Sequence, residues 1–261
     1  AVIGEPLSHI ADYGVGKTIE KAIQATWNVV SSNTNLGIVL LFAPLALAFH
    51  HIMEKTHTYG DKKGEFLINL RGELEAVLNN LTVDDTVYVY KAIRYVSPGG
   101  LGNADDYDVT ADTVPDISLK GVMALSAERD LIARQYVNNY SQIFDDGIKY
   151  FNDALTSKLS FFDSVAQTHL MLLASTEDTL ICRKLGKCIS VEAKRLAQEA
   201  VVRGGFYTQE GIQYVKRYDQ WLREDGHKRN PGSSADIIAA VIFVYFLEKI
   251  YTGEIILSNF R

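Results

Sequence analysis

The chain has 261 residues, of which 47% are hydrophobic and 22% charged, and its formal net charge is −6. This is the profile of a globular chain long enough to bury a sizeable core. The negative balance excludes a general nucleic-acid or anionic-membrane surface, so an anionic ligand must be met by a local cluster of Lys and Arg.

The first residues, AVIGEPLSHIADYG, carry no initiating Met, no basic n-region and no apolar h-region. They read as a chain entered partway through a domain. Within them GVGKT (Gly14–Thr18) is a fragment of a phosphate-binding loop, but Ala11 stands where its first Gly belongs and no strand precedes it. A helix N-terminus explains it better. Apolar spacing then predicts helices over Thr18–Val30, Leu36–Ile52, Glu65–Leu78 and Val83–Val96, the last with Thr82 and Asp85 as a capping pair.

The run Leu36–Phe49 has no polar side chain. It is shorter than the roughly 20 apolar residues a membrane span needs. It also contains Pro44, so a central buried helix is expected and no membrane. Asn33, Thr34 and Asn35 sit at its entry. Two readings stand for them: a helix cap, or polar groups facing a ligand at a helix N-terminus.

Ser97–Ser118 is the one long irregular stretch. Its SPGGLG segment holds Gly99 and Gly100, more glycine than a helix end requires, which permits close backbone approach to a ligand. Asp105, Asp106, Asp108 and Asp112 follow, either a cation site or a solvated acidic loop. Further helices are expected over Leu119–Tyr140, Asp145–Leu155, Phe161–Ala174, Thr179–Leu185, Val191–Val202, Thr208–Arg223 and Ser234–Tyr251. The fold class is therefore all-α, with one compact helical domain over residues 1–261.

Three polar clusters punctuate these helices. AERDLIARQY places Glu128, Asp130 and Arg134 within three turns, with Asp130 and Arg134 at i,i+4 spacing. HLMLLASTEDTLICRK brings His169, Asp178 and Arg183 around one helix junction, where Asp178 is also a good N-cap. DGHKRNPGSSAD sets Lys228, Arg229, Asn230, Gly232, Ser233 and Asp236 about a helix start, with Ser233 or Ser234 as the cap. Hydroxyls, backbone N–H groups and two cations there form an anion cradle. Cys182 and Cys188, separated by five residues, make neither a zinc pattern nor a disulfide framework, and buried thiols in a reducing cytoplasm are expected.

Taken in order, NTNLGIVLLFAPLA, AIRYVSPGGLG, AERDLIARQY, THLMLLASTEDTLICRKLG and DGHKRNPGSSADIIAA resemble the triphosphoribosyl-dephospho-CoA synthase family, in its archaeal and bacterial branch. The resemblance implies an all-helical cytoplasmic pentosyltransferase. It would move the 5-triphosphoribosyl group of ATP to the 2′-hydroxyl of 3′-dephospho-CoA and release adenine. Family members carry a Lys-Pro-Gly segment and an acidic motif before the Asn-Thr helix, so this domain is expected to be truncated at its N-terminus.

On that resemblance Asp130, Glu128 and His169 are the candidate acid–base groups. Arg134, Arg183, Lys228 and Arg229 would hold phosphates. Asn33, Thr34 and Asn35 would position ribose or base, and Gly99, Gly100, Asn230, Gly232, Ser233, Asp178 and Asp236 would complete the nucleotide site. Mg²⁺ is expected, with Asp130 and Asp178 as its ligands. The partners are ATP and a dephospho-CoA-like acceptor, with no nucleic acid, and a homodimer is the assembly considered. Two alternatives stay open: a nucleotide-binding protein without turnover, and pentosyl transfer to a pterin-like acceptor.

Overall fold

The computed structural model describes residues 2–32, 35–55, 65–96, 107–109 and 116–255, and among these all regular structure is helical. The helices are α1 (Gly4–Ser8), α2 (Ile10–Val30), α3 (Leu36–Lys55), α4 (Glu65–Asn79), α5 (Val83–Val96), α6 (Leu119–Ser126), α7 (Leu131–Asn138), α8 (Ile148–Thr156), α9 (Phe161–Ser175), α10 (Thr179–Leu185), α11 (Lys187–Val202), α12 (Gln209–His227) and α13 (Gly232–Tyr251). A π-helical turn, Gln142–Gly147, leads into α8, and a 3₁₀ turn, Gly205–Tyr207, precedes α12.

The chain forms two compact units. The first comprises Ala1–Ala127, Ile132–Tyr140 and Phe243–Arg261. Here α2 packs on α5 and α3, and α3 packs on α4. Gly16 makes the α2–α5 approach possible, because a Cβ on it would lie 2.5 Å from Asp85 Cα. The Gly16 N–H donates to Asp85 Oδ1 at 2.7 Å. The other Asp85 oxygen takes the Thr82 N–H at 2.8 Å, while Thr82 Oγ1 accepts from the Asp85 N–H at 3.2 Å, a reciprocal cap that starts α5. Gly14, at φ 70°, kinks α2, so GVGKT belongs to a kinked helix.

Helix α3 continues to Lys55, past the expected end at Ile52, and at 20 residues it has the length and apolarity to cross a bilayer. On one side of it Val39, Leu41, Ala43, Leu45 and Ala48 are each fully enclosed by protein. Pro44 bends no boundary into the helix, although it removes the N–H that would serve the Leu40 carbonyl. Tyr136, fully buried on α7, donates its hydroxyl to that carbonyl at 2.6 Å. Tyr140 donates likewise to Leu41 at 3.3 Å.

The second unit comprises Glu128–Leu131 and Ser141–Ile242. In it α9 packs on α8 and α11, and α11 packs on α10 and α12. Leu170 and Leu173 from α9, Ala197 and Ala200 from α11 and Tyr218 from α12 form a buried apolar cluster. Several expected helices differ here: α11 starts at Lys187 rather than Val191, α12 runs to His227 rather than Arg223, and a π-helical turn replaces the expected start at Asp145. The span Leu119–Tyr140 is broken at residues 127–130, because the Leu131 N–H that opens α7 is accepted by Thr179 Oγ1 at 3.1 Å. The last helix starts at Gly232 rather than Ser234.

Candidate active site

The second unit gathers the polar residues at the junction of α9, α10 and α13. Asp178 is its hub. One carboxylate oxygen, Oδ1, caps α10 by accepting from the Leu180 and Ile181 N–H groups at 2.9 and 3.1 Å. The other, Oδ2, accepts from the Ser234 N–H and the Ser234 hydroxyl, both at 2.8 Å. Burial raises the Asp178 carboxyl above the usual range, and these donors pull it back toward ionisation. Thr179, next along, donates to Ser233 Oγ at 3.0 Å.

Gly232 lets α13 begin against α10, since a Cβ there would lie 2.5 Å from Leu180 Cδ2. The serines are thus inside α13, and the carboxylate serving that helix end comes from Asp178 across the junction. This corrects the expectation that Ser233 or Ser234 caps the last helix. Asp236 likewise lies beyond the first turn.

Ser234 Oγ also sits 3.1 Å from His169 Nε2. The geometry fixes the ring's proton. Ser234 has one hydroxyl hydrogen, and its neighbours Asp178 Oδ2 and the Pro231 carbonyl, at 3.0 Å, only accept. His169 therefore donates from Nε2, which leaves Nδ1 with a lone pair. Burial lowers the His169 pKa to about 4, so the ring is neutral at pH 7. A neutral imidazole whose proton is held by serine is an acceptor, which argues against the acid role expected for it.

Asp130 pairs with Arg183 at 2.6 Å, both side chains about three-quarters covered. The Arg183 Nε is buried without a hydrogen-bond partner among the described residues. Asp236 completes the group. Its pKa is raised to about 7, chiefly by burial and further by the Asp178 and Asp130 charges, with Arg183 opposing them. Arg183 thus pairs directly with Asp130 and opposes the negative charge felt by Asp236 through space.

The other expected site residues are distributed as follows. Glu128 and Lys228 are exposed. Arg229 lies 4.4 Å over the Trp221 ring and donates to the Trp221 carbonyl and to Glu224 at 2.8 and 2.6 Å, so it ties the end of α12. Asn230 joins the same turn through its backbone, its carbonyl accepting from the Gly232 N–H at 2.9 Å. Asn35 and Arg134 belong to the first unit. Asn35 donates to Thr26 Oγ1 at 2.9 Å, and Arg134 donates from Nε to the Ala127 carbonyl at 2.9 Å. Asn33, Thr34, Gly99, Gly100, Asp105, Asp106 and Asp112 lie outside the described residues. Thr179, which bonds Leu131 and Ser233, and buried Tyr218 were not singled out by the motifs, and Ser234 was singled out only as a cap. The hydroxyl run SS before AD was the available signal for Ser234.

As for Mg²⁺, no group of three His, Cys, Asp or Glu side chains is placed to hold a metal among the described residues. Asp178 does not fit as a ligand, because protein donors occupy both its oxygens. Asp130 fits, since Mg²⁺ takes as few as one carboxylate beside phosphate oxygens.

The fold and these groups define an all-helical protein whose polar site is built where helix ends meet. The chain belongs to the CitG family, ATP:dephospho-CoA triphosphoribosyl transferases, whose profile matches residues 1–254. It is a member of a transferase family, as the sequence motifs implied. A solved chain from Archaeoglobus fulgidus, provisionally described as a triphosphoribosyl-dephospho-CoA synthase, is 21% identical, with a TM-score of 0.70 over 95% of this chain and 96% of that one. At that identity the likeness establishes the all-α fold. No curated protein matches the chain.

Proposed function

We propose that this chain transfers the 5-triphosphoribosyl group of ATP to the 2′-hydroxyl of 3′-dephospho-CoA, or of a closely related acceptor, releasing adenine in the cytoplasm. Family membership supports the reaction class. The observation that carries the site assignment is Asp236, a carboxyl held at about 7 beside Asp130 and Asp178.

In the reaction the bond from the ribose anomeric carbon to adenine breaks, and a bond from that carbon to the acceptor oxygen forms. Such displacements build positive charge on the sugar, which nearby carboxylates stabilise. The acceptor hydroxyl loses its proton, and a base with a pKa near the working pH removes it best. Asp236 meets that requirement, which moves the base role from Asp130 and Glu128. Adenine leaves with a proton taken from solvent or from the site. Arg183, with its unpartnered Nε, is the principal cation for the triphosphate, and Lys228 is a second.

Mg²⁺, when bound, supplies charge neutralisation for the triphosphate, and Asp130 is the carboxylate best placed to share it. Asp178 acts by holding α10 and α13 together rather than by touching substrate.

The test is release of free adenine from ATP plus dephospho-CoA, followed by chromatography and mass spectrometry. Absence of adenine and of a triphosphoribosylated product, with acceptor and Mg²⁺ both present, would sink the assignment.

A further inference from the structure

We propose that the cleft between α9 and α12 receives the pantetheine-type arm of the acceptor, a chain of alkyl segments and neutral amides that ends in a diphosphate. This rests on the transferase reading above. The cleft lies wholly within the second unit and has a volume of about 640 Å³, within the range of small-molecule sites and far more than a lone purine fills. Its walls are apolar, with Leu170 and Leu173 from α9 facing Val215 and Leu222 from α12.

Polar residues at the exposed edge include Gln220 and Asn230, and two less exposed ones, Tyr218 and His169, interrupt the walls. Tyr218 is 4% exposed, and its hydroxyl has no hydrogen-bond partner among the described residues. A buried hydroxyl left unpaired in this way is costly. Burial and the nearby Asp178 charge push its ionisation well upward, so it remains a donor. His169 also lines the cleft, and Ser234 engages only its Nε2. Its Nδ1 is consequently an acceptor.

A donor and an acceptor without net charge suit a secondary amide, whose carbonyl accepts and whose N–H donates. A phosphate placed between apolar walls would instead lose its hydration without a cation to replace it. Cations stand among the exposed lining residues: Lys216, and Arg223, which is paired with Asp219 at 2.7 Å. Neutral amides within and a diphosphate near Lys216 match that distribution of charge.

The discriminating measurement compares calorimetric binding of dephospho-CoA with that of ADP, the same nucleotide without the arm, on the full chain. Tyr218→Phe keeps the ring and removes only the hydroxyl. It should weaken dephospho-CoA about tenfold, as loss of one hydrogen bond implies, and leave ADP and ATP unchanged. Val215→Trp, which fills the cleft, should do the same more strongly. Lys216→Ala, at an exposed position that folding does not need, should weaken dephospho-CoA a few-fold with a reduced dependence on salt.

Equal losses for dephospho-CoA and ADP in Tyr218→Phe and Val215→Trp, or no loss for either ligand in those two variants, would overturn the proposal, whereas Lys216→Ala should weaken both ligands because both carry the diphosphate. Because binding is read without turnover, the two readings separate. Arm-dependent binding without adenine release would reject the transferase assignment and keep the cleft. Adenine release at an unchanged KM for dephospho-CoA in all three variants would reject the cleft alone.

Discussion

Tyr136 donates its hydroxyl to the Leu40 carbonyl, the acceptor that Pro44 deprives of its helical partner four residues on. The side chain thus replaces a backbone donor inside a fully buried stretch of α3. Removing it by Tyr136→Phe should cost about 1–3 kcal/mol, the penalty for an unsatisfied buried acceptor. In a Pro44→Ala background the restored N–H should serve Leu40, and the cost of Tyr136→Phe should fall. Denaturant unfolding of the four proteins in the cycle measures the coupling, and strict additivity would show that the two residues act independently.

Asp236 makes stability depend on pH in a defined direction. Its folded pKa, about 7, exceeds the 3.8 usual for an aspartate, so the native state binds the proton more tightly than the unfolded chain. The contribution is therefore complete below about pH 4 and is lost as pH rises through about 7. Asp236→Asn should remove this slope and gain stability relative to the parent above pH 7. Thermal unfolding across pH 4 to 8 reads it out, and parallel profiles for the two proteins would refute the shift.

The same residue sets the expected rate profile. If Asp236 is the base, adenine release should rise with pH through about 7. Asp236→Asn should flatten that limb and lower the rate by about 10²–10⁴, the usual worth of a positioned base. A variant that keeps the limb would transfer the role elsewhere. Undiminished release in Asp130→Asn would likewise remove Asp130 from the mechanism.

Arg183 is tested by affinity. Lysine keeps the charge but loses the planar fork that pairs with Asp130 and would reach a phosphate in the proposed site. Arg183→Lys should raise the Kd for Mg·ATP by roughly tenfold or more, in line with a charge-assisted hydrogen bond. An unchanged Kd would mean that the arginine serves only to hold Asp130.

Asp178 should prove structural. Asp178→Ala strands the N–H groups of Leu180, Ile181 and Ser234 together, and the loss should be about 2–5 kcal/mol. Binding of ATP by the fraction that remains folded should be little changed. A stable protein with lost ATP affinity would instead make Asp178 a ligand-contacting group.

Much of this was legible because it is local. The start of α5 follows from Thr82 and Asp85, and the start of α10 from Asp178, since each cap is written within three residues of the helix it opens. The break before α7 was hidden, because Leu131 finds its acceptor in Thr179, 48 residues away, while the apolar spacing runs on without a gap. Position 229 misled for a related reason. A cation near a helix start suggests a phosphate, yet Trp221 and Glu224, eight and five residues back, claim that guanidinium first. The motifs of the second unit singled out His169, Asp178 and Asp236 separately, but not that Ser234 would bridge Asp178 and His169.

The Gly16 N–H, set in a fragment that resembles a phosphate loop, meets the carboxylate of Asp85. The start of α13, where a phosphate cradle was also expected, meets the carboxylate of Asp178. At both places the protein supplies its own anion as a permanent internal ligand. Each such contact shuts a spare docking point for free phosphate, and a polyphosphate substrate is thereby left fewer wrong ways to sit.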